Sequence, residues 1–269
     1  MPSDEDIALD EKRMYGDRRE ETTAFVACEM GVARVALSDD QIGRFGLEHR
    51  CSARDIAGRD GRLAVATDED VLVGADGEFA PTGFGPAVAG GIGESVVAAD
   101  EDGRVARLDG DDWTTVGDAG DVRAIDGDLL ATADGVVRVE RDGLTDLAGD
   151  PAVDVAAAGP DAATAAGVTH YDGDWSIETD GDATVVAADH DADRAHAVVD
   201  GDLLERVEGS WRLADPPEQG IVDVAYDAAT VAVTVDGVVA IDPVTAKDGA
   251  PDWRSRTLGL TGAVGVTVP

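Results

Sequence analysis

Cysteine, lysine, aromatic residues and long apolar runs are all scarce in this sequence. Its two cysteines, Cys28 and Cys51, have no cysteine or histidine partners at zinc-binding spacing. A disulfide framework is therefore excluded, and we expect two free, half-buried thiols. No run reaches the roughly 18 apolar residues that a membrane-spanning helix requires. The first residues lack the basic and apolar segments of a signal peptide, so we expect a cytoplasmic protein.

Acidic residues greatly outnumber basic ones. The 269 residues include 57 Asp and Glu and 21 Lys and Arg, for a formal charge of -36, and only Lys12 and Lys247 are lysines. The carboxylates are spread along the whole chain. This favours adaptation to molar salt, where a Debye length of about 3 Å screens self-repulsion. The alternative is an acidic surface that binds cations or basic partners.

The sequence repeats a unit of roughly 31 to 40 residues, which is the period of a four-stranded propeller blade. One copy holds the apolar segments Leu63–Thr67 and Val71–Val73, followed by an Asp76-Gly77 turn. The next copy repeats this order of short strands and glycine turns between Val96 and Trp113.

Seven segments share a rough Val-x-Asp-Val-Ala pattern that predicts the inner strand of each blade. They are Ala53–Gly58, Pro86–Gly91, Val122–Gly127, Ala152–Ala157, Ala183–Ala188, Ile221–Tyr226 and Gly262–Thr267. The last segment has no strands after it, whereas three N-terminal strands lack an inner partner. Those three are Ala24–Cys28, Gly31–Leu37 and Gln41–Leu47.

Because the two chain ends complete each other, they predict one composite blade. We therefore predict an all-β, seven-bladed β-propeller of four-stranded antiparallel blades, whose C-terminal strand completes the N-terminal blade and closes the ring. Residues 23–269 would form this single domain. Residues 1–22 would form a charged N-terminal extension, either a short capped helix or a loose tail.

All four tryptophans fall near the outer edge of the repeat. Trp113, Trp175 and Trp211 each follow the third turn, and Trp253 is assigned to the last outer strand. An aromatic residue at one repeated position indicates packing between blades.

Three acidic residues, Asp55, Asp154 and Asp223, occupy one position of the inner strand in three blades. Because inner strands line the central channel of a propeller, these residues are predicted to be channel-lining. They would form part of a ring that takes a cation or a basic group. The alternative, which we favour, is that each carboxylate accepts backbone N–H bonds near the start of its strand.

Motifs for metal binding and catalysis are weak. The run Asp189–Asp193 resembles the start of a calcium loop, but Arg194 stands where an EF-hand loop needs glycine. His190 and His196 lie nearby without a third zinc ligand. The sequence has no phosphate loop, metalloprotease His pair or serine-nucleophile elbow, and its Asp-Gly-x-x-Trp turns lack the leading Ser or Thr of sialidase Asp boxes. We expect no metal, no cofactor and no catalytic residue.

Basic residues are concentrated toward the N-terminus. Ten of them fall between positions 12 and 62, whereas positions 63 to 246 hold eight. Arginine suits bidentate contact with carboxylate or phosphate. We predict that His49, Arg50 and Arg54 contribute to a partner-binding site, for a protein rather than for nucleic acid, since a charge of -36 opposes DNA. The alternative is a solvated patch that balances nearby acids.

The segment Ile42–Ala57, with Glu11-Lys-Arg-Met-Tyr15 before it, resembles a haloarchaeal β-propeller family of uncharacterised function. The resemblance covers nearly the whole chain and implies a propeller from a halophilic archaeon. It implies no activity, substrate or catalytic residue.

Two hypotheses about function follow. The first is a monomeric, non-enzymatic interaction scaffold that presents rigid loops to a protein partner. The second is a small-ligand sensor or an enzyme with a site at the channel mouth. A concave pocket with clustered titratable side chains would favour the second hypothesis, and a flat arginine-rich face the first.

Overall fold

The computed structural model describes residues 21–38, 41–75, 77–216, 218–243 and 252–269. Most of the predicted N-terminal extension, residues 1–20, lies outside these described residues. The first strand, β1, spans Glu21–Cys28 and begins two residues before the predicted start of the propeller domain at Thr23.

Short alternating segments separated by tight turns give 28 strands in the described residues. The first fourteen are β1 (Glu21–Cys28), β2 (Gly31–Ser38), β3 (Gln41–His49), β4 (Ala53–Arg59), β5 (Arg62–Thr67), β6 (Val71–Ala75), β7 (Glu78–Pro81), β8 (Ala89–Ile92), β9 (Val96–Ala99), β10 (Arg104–Asp109), β11 (Asp112–Asp118), β12 (Val122–Asp126), β13 (Leu129–Thr132) and β14 (Gly135–Glu140). The others are β15 (Gly143–Asp146), β16 (Ala152–Ala156), β17 (Asp161–Thr164), β18 (Gly167–Tyr171), β19 (Trp175–Asp180), β20 (Ala183–Ala188), β21 (Ala195–Val199), β22 (Asp202–Val207), β23 (Ser210–Leu213), β24 (Ile221–Tyr226), β25 (Ala229–Thr234), β26 (Val238–Pro243), β27 (Arg254–Thr257) and β28 (Ala263–Thr267).

These strands form seven antiparallel four-stranded sheets, and each sheet is one blade. Blade 1 has the order β28-β1-β2-β3, and blades 2 to 7 follow in chain order from β4–β7 to β24–β27. The innermost strands contact one another in the closed cycle β28, β4, β8, β12, β16, β20 and β24. The predicted seven-bladed propeller is confirmed.

The C-terminal strand closes the ring, as predicted. Strand β28 pairs with β1, so that Val26 lies opposite Val266 and Phe25 opposite Thr267. The backbone N–H of Val266 also donates to the carboxylate of Asp223 in β24, at 2.7 Å. One strand therefore bonds to both the first and the last blade, and it covers a sheet edge that would otherwise be open.

Seven apolar clusters, one between each pair of adjacent blades, make up the core. The tryptophans lie at these boundaries. Trp113 packs between blades 2 and 3, Trp175 between blades 4 and 5, and Trp211 between blades 5 and 6. Trp253 packs between blades 6 and 7, one residue before β27 rather than inside it. The tryptophans at this repeated position therefore pack between adjacent blades.

One inner strand is shifted from its predicted place. The segment predicted at Pro86–Gly91 forms β8 at Ala89–Ile92. Proline has no backbone N–H to give to the ladder, so the strand begins after Pro86.

Six inner strands contain a β-bulge at the same position. The residues skipped in the register are Arg54, Arg123, Val153, Thr184, Val222 and Val264. A bulge turns its side chain out of the ladder, and five of these six residues are exposed. Because every inner strand begins at this end of the channel, the six residues surround one opening, which we call the upper mouth.

Candidate functional site

The three predicted channel-lining carboxylates, Asp55, Asp154 and Asp223, join neighbouring blades. In each, Oδ1 accepts the backbone N–H of the next residue, at 2.7 to 2.9 Å. In each, Oδ2 accepts a backbone N–H from the inner strand of the following blade, again at 2.7 to 2.9 Å. The donors in the following blade are Gly90, Val186 and Val266. These carboxylates therefore act as backbone acceptors, and one bond of each crosses a blade boundary.

Burial dominates the titration of these carboxyls. It raises the pKa of Asp55 to about 6, that of Asp154 to about 7 and that of Asp223 well above its usual range, although the backbone bonds oppose it. Asp126, in β12, raises the pKa of Asp55 and Asp154 further through its charge. The pKa of Asp126 is itself raised, because desolvation outweighs the bond from the backbone N–H of Ala157. The walls of the channel limit the water that can solvate these acids.

The predicted partner-binding residues, His49, Arg50 and Arg54, follow the chain from the outer strand β3 to the inner strand β4. His49 is the last residue of β3. The centre of its ring lies 5.3 Å from that of Phe79, in the outer strand of blade 2. Arg54 is at the upper mouth, where its guanidinium donates to the carbonyl of Ala87 at 3.4 Å. Arg50 is exposed in the connection between them. The described contacts do not bring the three side chains together, and their joint role stays a prediction.

Within the acidic run Asp189–Asp193, the structure gives a side-chain partner to Asp189. The Asp189 carboxylate accepts a bond from Arg194 at 2.9 Å. Burial lowers the pKa of His196 to about 4, so this residue is a neutral core histidine. His190 lies 3.2 Å from Arg59, which belongs to blade 2. Within the described ranges, no group of three or more His, Cys, Asp or Glu side chains could hold a metal ion.

A pocket of about 490 Å³ opens between blades 5 and 6. Its polar wall consists of His170 from β18, Glu178 from β19 and Arg206 from β22, and the rim carries the carboxylates of Asp193 and Glu208. The volume lies within the roughly 300–1,000 Å³ typical of small-molecule sites.

Asp161 lies behind this wall and holds two of its members. It is fully buried, its Oδ1 is 2.8 Å from His170 Nδ1, and its Oδ2 accepts a bond from Arg206 Nη1 at 3.0 Å. The same Nη1 lies 3.5 Å from Glu178 Oε2, which also accepts the indole N–H of Trp211 at 2.8 Å. Losing one partner of such a buried pair costs about 3–5 kcal/mol. Asp161 therefore sets the positions of His170 and Arg206 on the wall.

The acids beside His170 favour its protonated form. Burial alone would lower the pKa of His170, but its bond to Asp161 and the charges of Asp161 and Glu178 raise it overall. Burial raises the pKa of Asp161, while the bond from His170 and the charge of Arg206 oppose that shift.

The repeat does not require an acid at this position. Asp161 lies opposite Ala156 of its inner strand, and the residues at the matching place in the other blades are apolar in five cases and histidine in one. They are Phe25, Ala64, Val97, Leu129, His196 and Val231. Apolar side chains meet the packing need in those five blades, whereas the acid in this blade bonds to His170 and Arg206.

Gly159 completes the wall from the loop between β16 and β17. A Cβ atom at this position would lie 2.5 Å from Asp161 Oδ2 and 3.2 Å from Arg206 Nη2. Only glycine leaves the buried pair undisturbed at this close approach.

Sequence reasoning did not identify His170, Glu178 or Arg206. These residues lie on three strands of two blades, and no short motif joins them. The one available signal was Asp161, a charge in the strand position that five of the other six copies give to apolar residues.

The sequence matches a known family whose description is also a β-propeller. The family model described as "Beta-prop_HVO_0234:-like, beta propeller" matches residues 8–269. This chain belongs to that family. The expected relationship to a haloarchaeal propeller family is confirmed. The description of the Beta-prop_HVO_0234:-like family gives a fold and no activity, and no curated protein matches the chain.

Solved structures of similar shape share little sequence with this family member. A protein from Lactobacillus plantarum is 14% identical with a TM-score of 0.62, over 92% of this chain and 99% of the other. A functionally unknown protein from Desulfotomaculum acetoxidans is 11% identical with a TM-score of 0.64, over 92% and 98%. The computationally designed protein Ika8 is 13% identical with a TM-score of 0.58, over 92% and 91%. At these identities the likeness concerns the fold alone.

In the part of the chain that the structure describes, no helix has the length and apolarity to cross a membrane.

Proposed function

We propose that this propeller is a non-enzymatic binding protein whose site is the pocket between blades 5 and 6. The observation that carries the proposal is Asp161, a fully buried carboxylate that fixes His170 and Arg206 on the pocket wall. A buried charge network is costly to desolvate, and five other blades use an apolar residue at this position. A binding role accounts for that departure from the repeat.

The arrangement suits recognition better than turnover. His170 and Arg206 are held by Asp161, and Glu178 is held by Trp211, so the polar groups form a fixed surface of donors and acceptors. Sequence motifs for nucleophilic or metal-assisted catalysis are missing. This site corresponds to the small-ligand hypothesis, without its enzymatic part.

Thermal-shift measurements on the full chain test the proposal, in about 1 M KCl. The panel contains lysine, glutamate, glucose and inorganic phosphate. At least one compound should raise the melting temperature of the wild type and of Asp134→Asn, an exposed loop control, but not of Asp161→Asn. Proton NMR of that compound after long incubation should show it unchanged. If no compound shifts the wild type, or if the compound is converted, the proposal is wrong.

A second candidate function is docking of an acidic protein segment at the upper mouth. Two of its exposed residues are Arg54 and Arg123, beside Val153 and Val264, whose exposed fractions are 37% and 38%. Cationic and apolar groups side by side suit a partner with carboxylates next to apolar residues. Monomeric state and cytoplasmic location stay predictions.

A further inference from the structure

We propose that the ligand of the pocket between blades 5 and 6 is a free amino acid, with preference for a basic one such as lysine. This inference rests on the proposed binding function and names the chemistry of its ligand. Its basis is two wall side chains, Arg206 and Glu178, whose Nη1 and Oε2 lie 3.5 Å apart and whose other polar atoms have no hydrogen-bond partner among the described residues, together with the acids on the rim.

Arg206 lines the pocket, and its guanidinium lies 5.5 Å from the centre of the Trp211 ring. Its Nη1 is used by Asp161 and Glu178. Its Nε and Nη2 make no hydrogen bond to any residue that the structure describes, and neither is among the buried polar atoms without a partner. Nε and Nη2 form the two-donor edge that matches a carboxylate in a bidentate pair. The α-carboxylate of an amino acid fits this edge.

Glu178 supplies the complementary group for an ammonium. Its Oε2 accepts the bond from Trp211 and faces Arg206 Nη1, while its Oε1 accepts no hydrogen bond from the described part of the chain. Arg206 and Glu178 are 15% and 27% exposed, so both face the pocket without being fully solvated. A ligand with adjacent carboxylate and ammonium groups would satisfy both side chains at once.

The rim decides between amino acids of different charge. Asp193 and Glu208 are exposed at the pocket edge. They would attract a second ammonium at the end of a side chain and repel a second carboxylate. The formal charge of -36 on the chain acts in the same direction. We therefore expect lysine to bind more tightly than glutamate.

Calorimetric titration of the full chain in about 1 M KCl tests this inference with ligand analogues. The probes are lysine, lysinamide, glutamate and glucose. Lysine should bind, and lysinamide, which lacks the carboxylate, should bind at least about tenfold more weakly, because a charged bidentate contact is lost. Arg206→Lys should weaken lysine binding by about the same factor. Arg212→Lys, an exposed arginine of β23 that pairs with Glu205, should leave it unchanged.

The analogue series needs no variant, so misfolding of Arg206→Lys would not obscure the result. Equal binding of lysine and lysinamide would overturn the carboxylate contact, and it would point to lysine side chains of a protein as the ligand. Binding of glucose without lysine would overturn the inference while leaving the proposed function standing. If none of the probes binds and the thermal-shift panel is also silent, both fail together.

Discussion

The carboxylate of Asp154 accepts a hydrogen bond from the backbone N–H of Val186, 2.9 Å away across the boundary between blades 5 and 6. Asp55 and Asp223 make the same contact to the next blade in their own parts of the ring. A short polar side chain on the inner strand therefore does more than line the channel. Its hydrogen bond joins the inner strand of one blade to the inner strand of the next.

The raised pKa values of these acids predict that the folded state becomes less stable as the pH rises. The pKa values of Asp55 and Asp154 in the folded chain, about 6 and about 7, are higher than the ordinary aspartate value of 3.8. The folded state therefore holds extra protons above pH 3.8, and it loses this stabilisation as the pH rises through about 6 to 7. His170, whose pKa is also raised, acts in the same direction, whereas His196, with a pKa of about 4, acts in the opposite one.

A difference between variants isolates the contribution of one acid. The melting temperature of Asp154→Asn should change less than that of the wild type between about pH 5 and about pH 8. The exposed variant Asp134→Asn should follow the wild type. Parallel pH profiles for Asp154→Asn and the wild type would show that Asp154 does not titrate in this range.

Because the last strand closes the ring, we predict that the stability and solubility of the fold depend on the last nine residues. Deleting Thr261–Pro269 removes β28, leaves β1 with an open edge and takes the N–H of Val266 from Asp223. Exposed strand edges promote aggregation. We expect loss of cooperative unfolding and aggregation on size-exclusion chromatography.

A point variant in the same strand is the control for that deletion. Val264→Ala changes the bulged residue, which is skipped in the pairing with β1 and is 38% exposed. It should melt close to the wild type. A deleted chain that is as soluble and as thermostable as the full chain would contradict closure by β28.

Much of the architecture was predictable because the strand pattern is local. Ala183–Ala188 and Ile221–Tyr226 were placed at their observed bounds, since apolar alternation ends where a turn begins. The pocket was not predictable in the same way. Asp161 and Arg206 meet only after two blades pack together, and that contact depends on the rotation between blades rather than on neighbouring residues. The bond from Val186 to Asp154 likewise crosses between repeats, so the pattern suggested an acceptor but not its second donor.

The excess of acid predicts that folding depends on salt. A charge of -36 on a core made mostly of alanine and valine gives repulsion that little buried area opposes. Melting temperatures in about 0.1 M and about 1 M KCl should differ by roughly 5–10 °C, higher in the concentrated salt. Sodium sulfate at equal ionic strength separates screening from effects of the particular salt. Equal melting temperatures would mean that the charges are paired within the fold.

The arginines at and beside the upper mouth, Arg54 and Arg50, are predicted to bind a protein partner. Arg54 is exposed on a bulge and uses one guanidinium nitrogen for the carbonyl of Ala87, so other donors of its fork face outward. Arg50 is exposed in the connection that leads to it. At molar salt only close, fitted contacts retain their strength, because long-range attraction is screened. A pull-down from cells of the source organism in high salt should therefore recover less partner with Arg50→Ala/Arg54→Ala than with the wild type. Arg62→Ala, an exposed arginine at the start of β5, is the matched control and should recover as much as the wild type. Equal recovery with all three proteins would assign the predicted partner residues to the solvated surface.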